Sequence, residues 1–219
     1  MRTFDAAGPV GLNEVVMKPL EHLFEKGRSF KDFTRAYTGY VTHLLEGLDV
    51  ESLERLLIGL REARKQGNTV FVIGNGGSAA TASHFANDFS FGSKDKDPVP
   101  LKVVSLADNL SVVTATANDL SYEQIFLRQL QVYYRPGDRL LVISASGNSP
   151  NLVLAAEWVK GQGGKVYGFL GFDGGKLKSL CDAAVVVRTP KGEYGPVEDV
   201  HMILDHLLAL WFHSRTDQA

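Results

Sequence analysis

The sequence of 219 residues has little of several features that would mark a particular class of protein. It has a single cysteine, Cys181, so no disulfide can form within the chain, and a reducing compartment is expected. The formal net charge is −2, without a basic stripe, which argues against nucleic acid as a partner. No segment approaches the roughly 20 apolar residues that cross a bilayer, and the N-terminus lacks the apolar run of a signal peptide. We therefore expect a cytoplasmic protein with neither a membrane nor a nucleic acid as partner.

The first third of the chain has apolar residues at helical spacing. Helices are predicted over residues 12–26, 30–48 and 49–67. Asp49 is a suitable N-cap for the third of these helices, and Gly67 is a suitable C-cap. These helices must pack either on the rest of the chain or on another subunit.

From residue 68 onward, apolar runs of strand length alternate with helical segments. Because the apolar runs are nearly continuous, we expect strands that are buried on both faces. The pattern predicts an α/β fold with a parallel sheet of about five strands and helices on both sides. The predicted strands are 69–74, 101–106, 139–144, 165–170 and 183–188, and the predicted helices are 78–90, parts of 109–133, 149–162, 174–180 and 196–214.

Two small, polar loops follow predicted strands, where ligands bind in sheets of this kind. They are "GNGGS" (74–78) and "SASGNSPN" (144–151), and each leads into a helix. Glycines let a ligand approach the backbone, and a helix N-terminus favours an anion. Neither loop contains lysine or arginine, so a phosphate held by hydroxyls and backbone amides is predicted. The side chains that could bind it belong to Asn75, Ser78, Ser144, Ser146 and Ser149.

Other interpretations of these loops exist. Each loop alone could be a tight turn or a helix cap. The chain has no Walker A motif, but Gly74, Gly76 and Ala79 match a dinucleotide-binding pattern. That pattern requires an acidic residue at the end of the next strand, whereas Asp95 and Asp97 lie in a polar loop before it. We therefore expect no nucleotide cofactor.

Two groups of ionisable residues could carry out chemistry. His84 and Asp88 are four residues apart on the helix that follows the first loop, so they share one face. By spacing alone, a local surface pair is the favoured interpretation of these two residues. The last helix could simply be an amphipathic closing helix with a polar first half. Its polar residues are Glu198, Asp199, His201, Asp205 and His206.

Three motifs together resemble the sugar isomerase (SIS) domain family, and more narrowly its phosphoheptose isomerase branch. They are "GNGGSAATASHFANDF", "SASGNS" and "GPVEDVHMILDHLL", and the resemblance covers about residues 50–215. It implies a three-layer α/β/α sandwich with a five-stranded, flavodoxin-like parallel sheet. Residues 67–219 would form this phosphosugar-binding domain, and residues 1–66 would be a helical extension used to assemble a cytoplasmic homotetramer.

The resemblance also implies a reaction and a substrate. Members of this branch convert sedoheptulose 7-phosphate, a ketose, into the aldose D-glycero-D-manno-heptose 7-phosphate. The reaction passes through an enediol and needs a positioned acid and base. Its product feeds the nucleotide-activated heptoses of lipopolysaccharide or capsule.

By the same resemblance, functional roles fall on particular residues. Asp88 and His206 are the expected catalytic residues. One Zn²⁺ per subunit is expected on His84, Asp88, Glu198 and His206. The expected substrate contacts are Asn75, Gly76, Gly77, Ser78, Asn118, Asp119, Ser144, Ala145, Ser146, Ser149 and Glu198.

The sequence departs from the family pattern at several positions. Asp88 stands where glutamate is usual, Glu198 where glutamine is usual, and Gly195 where many members have aspartate. An arginine that often follows the first helix of the domain is absent, with Lys94 and Lys96 nearby instead. These departures keep two other hypotheses open, an SIS isomerase of a different sugar phosphate and a non-catalytic SIS scaffold like the replication-initiator-associated members. His201 and Asp205 have no predicted role, and Cys181 is expected to be a core residue.

Overall fold

Five parallel strands form the central sheet of the protein. They are β1 Thr69–Gly74, β2 Lys102–Ser105, β3 Arg139–Ser144, β4 Lys165–Gly171 and β5 Ala183–Val187. Their order in the sheet is β2-β1-β3-β4-β5, and every neighbouring pair is parallel. The computed structural model describes residues 19–26, 29–92 and 100–214. The predicted fold class is confirmed.

Nine α-helices lie within the described ranges. They are α1 Pro19–Lys26, α2 Phe30–Glu46, α3 Val50–Gln66, α4 Gly77–Phe91, α5 Leu110–Asp119, α6 Leu127–Tyr133, α7 Pro150–Gly161, α8 Leu177–Leu180 and α9 Tyr194–Ser214, with a short 3₁₀ helix at Tyr122–Gln124. Residues 12–18 of the first predicted helix, together with Lys94, Asp95, Lys96 and Asp97, lie outside these ranges. None of these helices is long and apolar enough to cross a membrane.

Helix α3 shows how local sequence signals set an element and its packing. The Asp49 side chain accepts a hydrogen bond from the Ser52 N–H, and Gly67 ends the helix in the left-handed conformation, with φ of 69°. The face that carries Leu56 and Leu60 is fully buried in the core beneath the sheet. Helix α3 is therefore part of the domain core, while the use of residues 1–66 in oligomerisation stays a prediction.

Side chains of the strands alternate between two separate cores, one on each face of the sheet. In β1, Val70 and Val72 join the core under α3, α4 and α9, whereas Phe71 and Ile73 join the core under α6, α7 and α8. This period of two is expected for a strand with both faces covered. The result is the three-layer sandwich that the resemblance implied.

The strand order reverses direction next to β1, and this reversal positions the predicted ligand loops. The chain passes from β1 outward to β2 and then returns to β3 on the other side of β1. Gly74 at the end of β1 lies in register with Ile143, one residue before the end of β3. Open α/β sheets bind their ligands at such a reversal point, at the carboxyl ends of the strands.

Candidate functional site

The two predicted loops meet at one small cavity, which we call the loop pocket. It has a volume of about 150 Å³ and lies between the ends of β1 and β3 and the start of α9. Seven of the predicted substrate contacts line it. Its lining residues are Asn75, Ser78, Ile143, Ser144, Ala145, Ser146, Ser149, Leu152, Tyr194 and Glu198.

Two glycines are required by the backbone of these loops. Gly76 caps α4 with φ of 55° and ψ of −123°, a conformation that essentially only glycine adopts. Gly147 has φ of 63°, and a Cβ atom there would lie 2.0 Å from the carbonyl oxygen of Gly174. Gly76 therefore allows α4 to begin directly after β1, and Gly147 allows the second loop to pack closely against Gly174.

Side-chain amides fasten the two loops together. Asn75 Nδ2 donates to Asn151 Oδ1 at 3.0 Å, and Asn151 Nδ2 donates to Asn75 Oδ1 at 2.8 Å. The hydroxyl of Tyr122 also donates to Asn75 Oδ1 at 3.0 Å. Asn75 therefore connects the loop after β1 to the start of α7 and to the 3₁₀ helix.

The serines of the second loop surround the N-terminus of α7. Ser144 Oγ accepts a hydrogen bond from the Gly147 N–H at 3.0 Å, which closes the loop on itself. Ser149 is the N-cap of α7, yet its side chain makes no capping hydrogen bond. A free hydroxyl beside the positive end of a helix dipole is well suited to an anion such as phosphate.

The first turns of α9 close the other side of the loop pocket. Tyr194 and Glu198 line it. The Glu198 carboxylate lies directly over Gly77, where an added Cβ atom would be 2.4 Å from Oε2. Glu198 is therefore placed to contact a ligand that extends from the loop pocket.

A second group, which we call the His–Asp cluster, lies farther along α4 and α9. It comprises His84, Asp88, Asp205 and His206, and one ligand atom from each lies within 4.8 Å of all the others. The two Nε2 atoms of His84 and His206 face each other at 3.0 Å. His84 Nε2 lies 3.4 Å from Asp88 Oδ2 and 4.0 Å from Asp205 Oδ2. Imidazole nitrogens and carboxylate oxygens in this arrangement could hold a divalent metal ion.

Exposure differs strongly within the cluster. The side chains of His84 and Asp88 are 42% and 25% exposed, whereas that of Asp205 is completely buried. Burial and the charge of Asp88 raise the pKa of Asp205 to about 7. A cavity of about 530 Å³ lies beside the cluster and is lined in part by Asp88 and His206. A substrate in this cavity could thus reach two members of the cluster, Asp88 and His206, whereas Asp205 is buried.

Three of the four predicted metal ligands lie together in the structure, and the ligand set itself stays a prediction. His84, Asp88 and His206 do meet, but the fourth member of the group is Asp205 rather than Glu198. Glu198 is eight residues before His206 on α9, about 12 Å along a helix, and its carboxylate is at the loop pocket instead. Asp205 directly precedes His206 and is fully buried.

The remaining predicted residues lie at the edges of the site. Asn118 and Asp119 form the exposed end of α5, where Asn118 Nδ2 donates to Asp119 Oδ1 at 2.8 Å. Their contact with a substrate stays a prediction. Cys181 packs against the core near α8, and burial raises the pKa of its thiol to about 12. An inert, protonated thiol fits its predicted role as a core residue.

Three residues that sequence reasoning left without a role take part in the site or its support. Asn151 and Tyr122 hold Asn75, and no local pattern pointed to them. Asp205 did leave a signal, because it falls on the same face of α9 as Val197, Leu204 and Leu208, all of which are buried. A charged residue on a buried helix face is a candidate functional residue.

Comparisons with known proteins agree with this architecture. Residues 33–171 match the family model described as SIS domain. The phosphoheptose isomerase of Trichlorobacter lovleyi is 38% identical over 71% of this chain and 78% of its own length, and that of Aliarcobacter butzleri is 34% identical over 84% and 94%. The solved structure of the phosphoheptose isomerase of Neisseria gonorrhoeae has a TM-score of 0.75 and 26% identity, covering 85% of this chain and all of that one. The chain therefore belongs to the SIS domain family, within the group of the phosphoheptose isomerases.

Proposed function

We propose that the protein is an isomerase that converts sedoheptulose 7-phosphate into D-glycero-D-manno-heptose 7-phosphate. The observation that carries this proposal is that α4 connects the loop pocket to the His–Asp cluster. Ser78 at its start lines the pocket, and His84 follows six residues later, about 9 Å along the helix. A sugar chain with a phosphate at one end and a carbonyl at the other suits two sites separated in this way.

The loop pocket would hold the phosphate. Ser144, Ser146 and Ser149 line it, and it lies at the N-terminus of α7, the end of a helix that favours an anion. No lysine or arginine is among its lining residues in the described part of the chain. Binding would therefore depend on hydroxyls, amides and the helix dipole.

The exposed members of the His–Asp cluster would move the protons. Asp88 is the proposed base that removes a proton from the carbon next to the carbonyl. His206 is the proposed partner that exchanges a proton with the sugar oxygens as the enediol forms and collapses. Both residues line the cavity beside the cluster, so both could reach a bound sugar.

The cluster also suits a divalent ion, which we propose to be Zn²⁺ at one ion per subunit. Two imidazoles and two carboxylates are ligands that zinc accepts, and the buried Asp205 carboxylate has no hydrogen-bond partner among the described residues. When bound, such an ion would polarise the substrate carbonyl and stabilise negative charge on its oxygen. His84, together with the other members of the cluster, would hold the ion and so fix its position at this end of the site.

We further propose a cytoplasmic homotetramer whose product feeds nucleotide-activated heptoses of lipopolysaccharide or capsule. Exposed apolar side chains support an assembly. On α9, Ile203, Leu207 and Leu210 recur at helical spacing and are 36%, 47% and 73% exposed. Light scattering on the wild type and on Leu210→Glu tests this, since the substitution should shift the protein toward smaller assemblies.

A substrate panel tests the proposed activity. The purified protein would be supplied with Zn²⁺ and incubated separately with sedoheptulose 7-phosphate and with five- and six-carbon ketose phosphates, and aldose formation would be followed by NMR. We expect the highest kcat/KM for the seven-carbon substrate. A higher value for a shorter sugar would indicate an SIS isomerase of another substrate, and binding without turnover of any sugar would indicate a non-catalytic scaffold.

A further inference from the structure

We infer that the ring of Tyr194 closes the loop pocket on the side away from the His–Asp cluster, so that the pocket accepts a phosphate monoester but not a diester. A monoester carries one carbon substituent, whereas a diester carries a second one on another phosphate oxygen. The inference rests on the proposed function, because it concerns how the proposed sugar phosphate is selected. It gives a specificity role to a residue for which neither the sequence motifs nor the family resemblance suggests one.

The first observation is the direction in which α4 and α9 run. The Glu198 carboxylate lies over Gly77 at the start of α4, and His206 faces His84, which comes seven residues after Gly77. Both helices therefore run from the loop pocket toward the cluster. Tyr194 is the first residue of α9, four residues before Glu198, so it lies about 6 Å farther from the cluster along the helix.

The second observation is the size of the loop pocket and the place of Tyr194 in its wall. Tyr194 lines the pocket together with the serines of the second loop. The volume of about 150 Å³ suits a phosphate group rather than a whole sugar phosphate, since pockets for drug-sized ligands measure about 300–1,000 Å³. The sugar chain of the substrate would leave the pocket past Glu198, toward the cluster. A second substituent on the phosphate would have to leave on the opposite side, where Tyr194 lies.

The third observation is that the surroundings of Tyr194 fix its position. The ring of Phe172 packs edge-on against it, with centroids 5.2 Å apart and an interplanar angle of 75°. Phe172 is buried and has φ of 55°, a strained conformation for a bulky residue, and such strain is concentrated at ligand sites. Glu193, directly before Tyr194, is buried and accepts hydrogen bonds from Tyr40 and Leu20. A wall that cannot move aside can reject a ligand by steric clash.

The exposure of Tyr194 makes it suitable for substitution. About half of its surface is accessible to solvent, so Tyr194→Ala leaves the core intact. Tyr133 is similarly exposed, at the end of α6, and it does not line the loop pocket. Tyr133→Ala is therefore a matched control for the loss of an exposed tyrosine, and Tyr194→Phe is a control for the loss of the hydroxyl alone.

Binding of methyl phosphate and of dimethyl phosphate to the full-length protein tests the inference. Ligand-observed NMR titrations would give the two dissociation constants for each variant, and the measured quantity is their ratio. The two ligands differ in charge as well as in size, but comparing the ratio between variants cancels the difference in charge.

The wild type, Tyr194→Phe and Tyr133→Ala should all bind methyl phosphate much more tightly than dimethyl phosphate. In Tyr194→Ala, the ratio should shift by about tenfold or more in favour of dimethyl phosphate. The reason is that a single methylene-sized difference in contact changes discrimination between ligands by about 10- to 200-fold.

Thermal unfolding shows whether Tyr194→Ala keeps its fold. Its Tm should stay close to that of the wild type, because the side chain it removes is half exposed. If this variant does not fold, Tyr194→Leu, which keeps an apolar side chain but lacks the ring, would be titrated in its place, with the same shift expected.

Several results would overturn the inference. They are an unchanged ratio in Tyr194→Ala, an equally large shift in Tyr194→Phe, a wild type that binds both ligands equally or neither, and binding of methyl phosphate that Ser149→Ala does not weaken. Turnover of sedoheptulose 7-phosphate would be measured on the same samples. Turnover with an unchanged ratio would leave the isomerase proposal in place while removing Tyr194 as the wall, and the expected shift without turnover would do the reverse.

Discussion

The loop pocket and the His–Asp cluster share two helices, α4 and α9, but they are built in different ways. The loop pocket is formed by backbone and by neutral side chains from loops at adjacent strand ends, with Glu198 as its one charged lining residue. The cluster consists entirely of ionisable side chains, which come from the middle of two helices 122 residues apart in sequence. This difference is suited to a division of labour in which neutral groups bind a charged phosphate and ionisable groups carry out proton transfer.

The loop pocket could be predicted from the sequence more completely than the His–Asp cluster. The pocket residues lie in two short motifs, and the predicted parallel sheet was enough to bring those motifs together. The cluster depends on which turn of α9 faces α4, and this is set by packing of the whole helix. For this reason no local pattern assigned a role to Asp205, which lies beside His84, Asp88 and His206 in the structure.

The largest predicted effect is that of a substitution that changes the His–Asp cluster and leaves the loop pocket intact. In Asp88→Asn, the proposed base is lost, so kcat should fall by about 10²- to 10⁴-fold. The affinity for inorganic phosphate should remain close to that of the wild type, because the pocket is unchanged. Steady-state kinetics with saturating Zn²⁺ and a phosphate-binding titration measure the two effects. The exposed, remote Glu157→Gln serves as a control for loss of a carboxylate, and a wild-type kcat in Asp88→Asn would contradict the assignment.

The second prediction concerns a substitution that changes the loop pocket and leaves the His–Asp cluster intact. Ser149→Ala removes a hydroxyl that makes no capping hydrogen bond, so the helix itself should be little affected. A hydrogen bond to a charged group contributes about 1.5–3 kcal/mol, so KM should rise by about 10- to 150-fold with kcat nearly unchanged. Ser179→Ala, on the exposed face of α8, is the matched control. A loss confined to kcat would mean that this serine does not bind the phosphate.

The third prediction concerns His201, which lies on α9 between the residues of the loop pocket and those of the His–Asp cluster. It is fully buried, its Nε2–H group donates to the Leu170 carbonyl at 3.1 Å, and burial lowers its pKa to about 4. An unfolded histidine takes up a proton near pH 6.5, so the contribution of His201 to the free energy of unfolding should fall by about 2 kcal/mol between about pH 7 and pH 5. Urea unfolding of the wild type and of His201→Gln isolates this contribution. Equal losses in both proteins would show that His201 is not responsible.

The smallest predicted effect concerns the link between the N-terminal helices and the loop pocket. Glu193 is buried, and it accepts hydrogen bonds from the Tyr40 hydroxyl at 2.7 Å and from the Leu20 N–H at 3.0 Å. It directly precedes Tyr194, which lines the pocket. Loss of one such hydrogen bond costs about 1–2 kcal/mol, or roughly 2–8 °C in Tm for a chain of this size.

Tyr40→Phe should therefore lower Tm by this amount and raise KM by a few-fold. Tyr37→Phe is its control, since Tyr37 donates to Asp199, which is exposed, and its loss should have a smaller effect. If Tyr37→Phe raises KM as much as Tyr40→Phe, the buried glutamate has no particular role in positioning the pocket.

Fold prediction succeeded because its signals are local. The caps of α3 at Asp49 and Gly67 and the apolar runs of the five strands could be identified without tertiary information. Contacts such as Tyr40 with Glu193, 153 residues apart, have no local signature. Neither does the support that Tyr122 gives to Asn75, because a single exposed tyrosine is compatible with many positions.

The most direct test of the central claim is proton exchange in D₂O. The metal-loaded protein would be incubated with sedoheptulose 7-phosphate, and the sugar carbons next to the carbonyl would be followed by NMR. The proposed division of labour predicts that deuterium enters the sugar while an aldose accumulates, and that Asp88→Asn binds the sugar without exchange. Wild-type protein that binds the sugar phosphate but incorporates no deuterium would contradict the claim that the His–Asp cluster is the catalytic part of this site.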